Sequence, residues 1–160
     1  MNIRRIESKD TEAVSIICLD SFLKSVAGTL SDDGISTFSR IAASDSFRNR
    51  MKEDNVILVA ENDKGVKGVI ELKEGRHIAM LFIDPEHQKK GIGRKLLLSV
   101  LAHARCSTVT VSASLSSVPA YRKFGFKCKG GIGESAGLVY QPMAIELSKT
   151  TYLIANATAD

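Results

Sequence analysis

Hydrophobic and polar positions change register several times along this chain, and each change marks an element. Ile3 to Ile6 reads as a short apolar and basic strand. Asp10 is placed to cap a helix whose apolar positions are Ala13, Val14, Ile16, Ile17, Leu19, Phe22, Leu23 and Val26, with Cys18 in its core face and Gly28 as its stop. From Thr29 to Lys52 the text is polar and short-paced. Ile35, Phe38 and Ile41 predict one short helix after Ser31 or Asp33, and Phe47 and Met51 a second after Ser44. Arg48, Arg50 and Lys52 read as a solvated basic face. Val56–Ala60 and Val66–Leu72, flanking the turn Glu61 to Gly65, predict a hairpin.

Glu74-Gly75 turns the chain into a strand from His77 to Ile83. Its unbroken apolar run from Ile78 is the pattern of a strand buried on both faces. Pro85 ends it, because proline has no N–H for a ladder. After Gly91 and Gly93 the period becomes helical, with Ile92, Leu96, Leu97, Val100, Leu101 and Ala104 on one side and Arg94, Lys95, Ser99 and His103 on the other. Thr108 to Ala113 is β-branched and strand-like. Ser116 or Ser117 starts a short helix through Tyr121 to Phe124, Gly125 ends it, and Phe126 to Lys129 begins another strand. Gly130, Gly131, Gly133 and Gly137 predict a flexible loop before a last strand, Tyr140 to Leu147. This order predicts an α/β (α+β) domain over residues 1–148, with a single mixed, mostly antiparallel sheet flanked by helices, and a small polar tail over 149–160. An ordered tail would pack on a neighbouring subunit, so the expectation of a homodimer rests on that segment alone.

Composition narrows the function classes. A chain of 160 residues can bury roughly 70% of its unfolded surface. A formal charge of +4 suits an anionic ligand, and its dispersal argues against a nucleic-acid partner. No apolar run approaches the ~18 residues of a membrane span, and the first residues open no signal peptide. Cys18, Cys106 and Cys128 are far apart and show no metal spacing, so they read as reduced thiols of a cytoplasmic protein without a metal site.

The chemistry concentrates between strand and helix, at Gln88-Lys89-Lys90-Gly91-Ile92-Gly93. Two glycines let the backbone turn sharply and approach a ligand. The first helical N–H groups lack intrahelical partners and carry partial positive charge, and Lys89, Lys90 and Arg94 add full charges. Such a turn suits phosphate. It is neither a P-loop nor a dinucleotide fingerprint, since it lacks GxxxxGK[ST] and GxGxxG.

This stretch resembles the Q/R-x-x-G-x-G/A signature of the GNAT acyltransferases, and Tyr121-Arg122-Lys123-Phe124-Gly125-Phe126 is similar to that family's Y-x-K-x-G-F. The resemblance covers roughly Ile3 to Leu147. It implies a GNAT-like fold and direct transfer of acetyl from acetyl-CoA to an amine acceptor. Gln88, Lys89, Lys90, Gly91, Ile92, Gly93 and Arg94 would hold the pyrophosphate, and the backbone of Leu81, Phe82 and Ile83 the pantetheine arm and thioester carbonyl. The strand bearing Ser112, where many members carry asparagine, would splay away to admit the cosubstrate. Tyr121 would donate toward departing coenzyme A. His77 falls where histone-acetylating relatives carry a glutamate base, and Glu71 is the second candidate. Acceptor choice is expected in Leu30 to Lys52 and Gly130 to Tyr140. The rival readings are a non-catalytic acyl-CoA sensor and a DNA-binding or structural module.

Overall fold

In the computed structural model, which describes residues 1–26 and 30–147, the chain runs β1 (Asn2–Arg5), α1 (Thr11–Val26), α2 (Asp32–Ile41), α3 (Ser44–Arg50), β2 (Asn55–Asn62), β3 (Gly65–Lys73) and β4 (His77–Ile83). It continues through α4 (Ile92–Leu101), β5 (Thr108–Ala113), α5 (Val118–Lys123), β6 (Lys127–Cys128), β7 (Gly133–Ser135) and β8 (Leu138–Glu146). The expected stop at Gly28 and the 149–160 tail lie outside the described residues. The strands lie in the order β1-β2-β3-β4-β5-β8-β6, with β7 on β8. Among the described residues every pairing is antiparallel except β4 with β5. The mixed, mostly antiparallel sheet expected from the element order is therefore present.

Alternation along β2 and β3 divides the interior. Leu58, Ala60, Ile70 and Leu72 join Leu96, Leu97 and Val100 of α4 on one face, and Ile57, Val59 and Val69 join Val14, Phe38 and Phe47 of α1–α3 on the other. Gly68 allows α4 to approach, since a Cβ there would lie 2.9 Å from Ile83 Cδ1 and 3.1 Å from Leu96 Cδ1. In β4 the alternation is broken once. Leu72 faces Ile78 but Glu71 faces Met80, so Ala79 is an extra residue, a β-bulge. The slip sends Ile78 into the α4 core and Met80 into the α1–α3 core.

Several expectations change in three dimensions. β4 is buried on both faces only at Ile78 and Met80: Ala79 is exposed and Leu81, Phe82 and Ile83 are half-buried, where β5 has left the strand after Ile78. Asp10 is not an N-terminal cap of α1. It closes a short turn by accepting the Glu7 N–H at 2.8 Å and pairs with Arg4 at 2.7 Å. On α1, Ile16 and Leu23 face solvent. Ser31 is the cap of α2, accepting from the Gly34 N–H. Ser99 is buried, its hydroxyl donating to the Lys95 carbonyl one turn back. The glycine-rich loop contains a strand, because Ala136 and Gly137 at φ 50° and 82° make the tight turn that folds β7 onto β8.

Candidate active site

Among the described residues β4 and β5 form the only parallel pair, and they share two register positions, His77 with Thr110 and Ile78 with Val111. Past that vertex β4 stays with β3 as far as Ile83, while β5 stays with β8 as far as Ala113. A wedge opens between them, and the backbone N–H and C=O groups of Ala79 to Ile83 on that side face it without a strand partner among the described residues. Such groups seek hydrogen bonds elsewhere. Ser112 is exposed on the β5 side.

At the open end of β4 the chain turns through Asp84, whose carboxylate accepts the Glu86 N–H at 3.0 Å. The Gln88 amide donates to Ser21 Oγ on α1 and to the Ile83 carbonyl, both at 3.3 Å. Gln88 therefore ties the strand end to α1. Lys89 and Gly91 have left-handed backbones, φ 63° and 84°. For a lysine that conformation costs on the order of 1 kcal/mol. Together they bend the chain into an arc ahead of α4. A Cβ on Gly91 would meet nothing within 4 Å, and one on Gly93 only Ile83 and Phe124 at 3.9 Å. The arc is thus an open cradle at a helix N-terminus, with Ile92 buried beneath it and Lys89, Lys90 and Arg94 exposed around it. Its shape and charge fit a pyrophosphate.

Tyr121 lies in the α4-side core with Val111 and Ala113 of β5. Its ring meets Phe124 and Phe126 edge-on at 6.2 and 5.3 Å. Burial pushes its hydroxyl well above the ordinary phenol range, so it stays protonated. His77 stands at the vertex, its Nδ1 2.7 Å from Thr110 Oγ1. Burial, helped by Arg76 and Lys73, holds its imidazole below the usual value, so it is neutral at pH 7.

Glu71 is separated from the α4-side cluster, on the face covered by α3. It is 1% exposed, and both oxygens accept from Arg50 Nε at 3.1 and 2.9 Å. Burial pushes its carboxyl up, against the opposing pull of Arg50. Arg50 also donates to the Ile41 carbonyl at 2.9 Å and lies 4.5 Å over the Phe47 ring. The basic stretch expected to be a solvated face therefore contributes one arm that is an internal tether. A lone acid in the apolar run Val69-Ile70-Glu71-Leu72 was the available signal, because a buried carboxylate needs a partner. Thr110 and the bulge at Ala79 had no such signal.

The two stretches expected to choose the acceptor meet. Gly34 of α2 lies against the backbone of Gly137 so closely that a Cβ on either would clash. Thr37 Oγ1 donates to the Ala136 carbonyl at 2.8 Å. Phe22 of α1 stacks on Phe38 of α2 at 3.8 Å, and Phe38 meets Phe82 of β4 edge-on at 5.3 Å. An aromatic wall thus runs from the helices to the free half of β4.

Comparison with known proteins agrees with this architecture. Residues 26–147 match the family model described as an acetyltransferase (GNAT) domain. The uncharacterized N-acetyltransferase YafP of Escherichia coli (strain K12) is 23% identical over 150 residues, covering 89% of this chain and 97% of that protein. A GCN5-related N-acetyltransferase structure from Rhodopseudomonas palustris superposes with a TM-score of 0.78 at 21% identity, covering 91% of this chain and 95% of that one. The PaiA N-acetyltransferase of Thermoplasma acidophilum, solved in complex with coenzyme A, superposes with a TM-score of 0.74 at 21% identity, covering 91% and 98%. With the family model spanning most of its length, the chain belongs to the GNAT acetyltransferase family.

Proposed function

We propose that this protein transfers the acetyl group of acetyl-CoA directly to a primary amine of a small molecule or a protein. The observation that carries the reading is the wedge between β4 and β5, which leads from a free strand edge to an open, cationic cradle at the start of α4. The coenzyme A bound in the Thermoplasma acidophilum relative supports it. Acetyl-CoA would supply the activated acetyl group and a thiolate leaving group.

In this reading Gln88 to Arg94 hold the pyrophosphate, with the N–H groups of the arc and first turn pointing at it. The edge of Leu81, Phe82 and Ile83 pairs with the pantetheine arm, and an N–H there polarises the thioester carbonyl. Ser112 lines the opposite side. The amine nitrogen bonds to the carbonyl carbon as the C–S bond breaks. One proton must leave the amine and one must reach the sulfur. His77, neutral at pH 7, takes the first directly or through water. Tyr121 supports the thiolate. A reference phenol is about 1.5 pKa units weaker than a thiol, so full transfer is uphill by roughly 2 kcal/mol, and burial raises that cost. A hydrogen bond that strengthens as charge builds on sulfur meets the need. Glu71, engaged by Arg50, is the weaker candidate for base and serves in this reading as the anchor of α3.

Calorimetric titration with acetyl-CoA tests the cradle. Binding that disappears in Gly91→Asp supports this site, and equal affinity in that variant removes the site from this loop. Thiol release with an amine separates the transferase from a sensor that binds without turnover.

A further inference from the structure

Cross-strand partners His77 and Thr110 close the vertex of the wedge, and their side chains are bonded to each other at 2.7 Å. The bond fixes one ring nitrogen. Nδ1 faces Thr110, and Nε2 of this half-buried residue has no protein partner among the described residues. The hydroxyl has one proton and two neighbours to receive it: Nδ1, and the Arg76 carbonyl at 3.5 Å. That carbonyl already accepts the Thr110 N–H at 2.9 Å, which pins the residue to it, and it keeps a second lone pair. When the hydroxyl donates to Arg76, its oxygen is free to accept from Nδ1–H.

We propose that Thr110 is a positioning residue that holds His77 in the Nδ1–H form, leaving the Nε2 lone pair at the wedge as the proton acceptor for the attacking amine. It rests on the acetyl-transfer reading above and adds to it the residue that sets the base. The alternative arrangement, with the hydroxyl donating to Nδ1, would place Nε2–H at the wedge, where it has no capacity to accept a proton. The ring's choice is made by the bond at its other nitrogen. The charged groups around the ring are Arg76 beside it and Lys73 opposite it on β3. Both are cations and neither competes to accept from Nδ1. Glu71, two residues from Lys73, has its oxygens taken by Arg50.

Two readouts that need no known acceptor decide the matter. In protein labelled with ¹⁵N-histidine, long-range proton–nitrogen correlations at pH 8 report which nitrogen of His77 carries hydrogen. The expected result is Nδ1–H in the wild type and in Thr110→Ser, and a shift toward Nε2–H in Thr110→Val, whose shape preserves the strand. Nε2–H in the wild type, or no change in Thr110→Val, overturns the proposal. Diethyl pyrocarbonate, which carbethoxylates an imidazole lone pair, is then applied with and without saturating coenzyme A, and the modified residue is found by mass spectrometry. Modification of His77 that coenzyme A suppresses at least fivefold is expected. Equal modification in both cases places Nε2 away from the wedge and overturns the catalytic part. Failure of coenzyme A to bind at all, seen by calorimetry, would instead refute the transferase reading and leave the nitrogen assignment to the first readout.

Discussion

Replacing Arg50 with methionine keeps most of the side-chain stem but strips Glu71 of its only charged partner within hydrogen-bond reach among the described residues. Glu71 is 1% exposed, so it has no route to water and must either stay charged and unpaired or take up a proton. Breaking a buried pair from one side costs about 3–5 kcal/mol. Protonation sets a ceiling: moving a carboxyl of ordinary pKa about 4.3 to its neutral form at pH 7 costs about 3.7 kcal/mol. The guanidinium's bonds to the Ile41 carbonyl and the Phe47 face add about 1 kcal/mol. Arg50→Met should therefore lose about 4 kcal/mol at pH 7. The sign with pH follows from the raised carboxyl. The penalty is full above it and fades as pH falls toward the unfolded value, so at pH 5 the loss should be about 2 kcal/mol. Urea unfolding at the two pH values measures both. Adding Glu71→Leu removes the stranded acid and should recover most of the stability. A loss below 1 kcal/mol, or an equal loss at pH 5 and pH 7, would refute the claim that Arg50 neutralises Glu71.

Other perturbations act on the site itself. Tyr121→Phe should lower turnover about tenfold or more with acetyl-CoA affinity unchanged, read by steady-state kinetics, and an unchanged rate would reduce Tyr121 to packing. Gly34→Ala puts a methyl against the Gly137 backbone and should push α2 from the β7–β8 turn. KM for the acceptor should then rise while the calorimetric affinity for acetyl-CoA holds. His77→Ala should remove the acid-side fall of kcat/KM, which lies below the ordinary imidazole range because burial, helped by Arg76 and Lys73, lowers the pH at which His77 gains its proton. A profile identical to wild type would exclude His77 as the base.

Local signals carried most of the fold. The glycine pair before Arg94, the proline after Ile83 and the strand-length apolar runs set boundaries that the structure keeps within a few residues, as at His77–Ile83 and Thr108–Ala113. What stayed hidden is what depends on contacts distant in sequence. The bulge at Ala79 arises from the pairing of β4 with β3 and inverts the faces of Met80 and Phe82, while the apolar letters read the same with or without it. Arg50 looked like a surface cation because its partner lies 21 residues away. The strand Gly133–Ser135 was masked by glycines, yet Gly133 is the flat surface on which the Tyr140 ring rests. His77 stood out as a candidate base only through the GNAT resemblance, which aligns it with a relative's glutamate by its distance from Gln88. Thr110, which holds it, is 33 residues distant and sits among β-branched neighbours that carry no chemistry.

The most direct test of the central claim is acetyl transfer itself. Purified protein, acetyl-CoA carrying a labelled acetyl group and a panel of primary amines are followed together for free thiol and for label on the amine. Thiol release matched one for one by acetylated amine is expected with at least one acceptor, and loss of both in Gly91→Asp. Tight acetyl-CoA binding with neither product across amines of every charge and size would contradict the claim and identify the domain as a sensor of acyl-CoA.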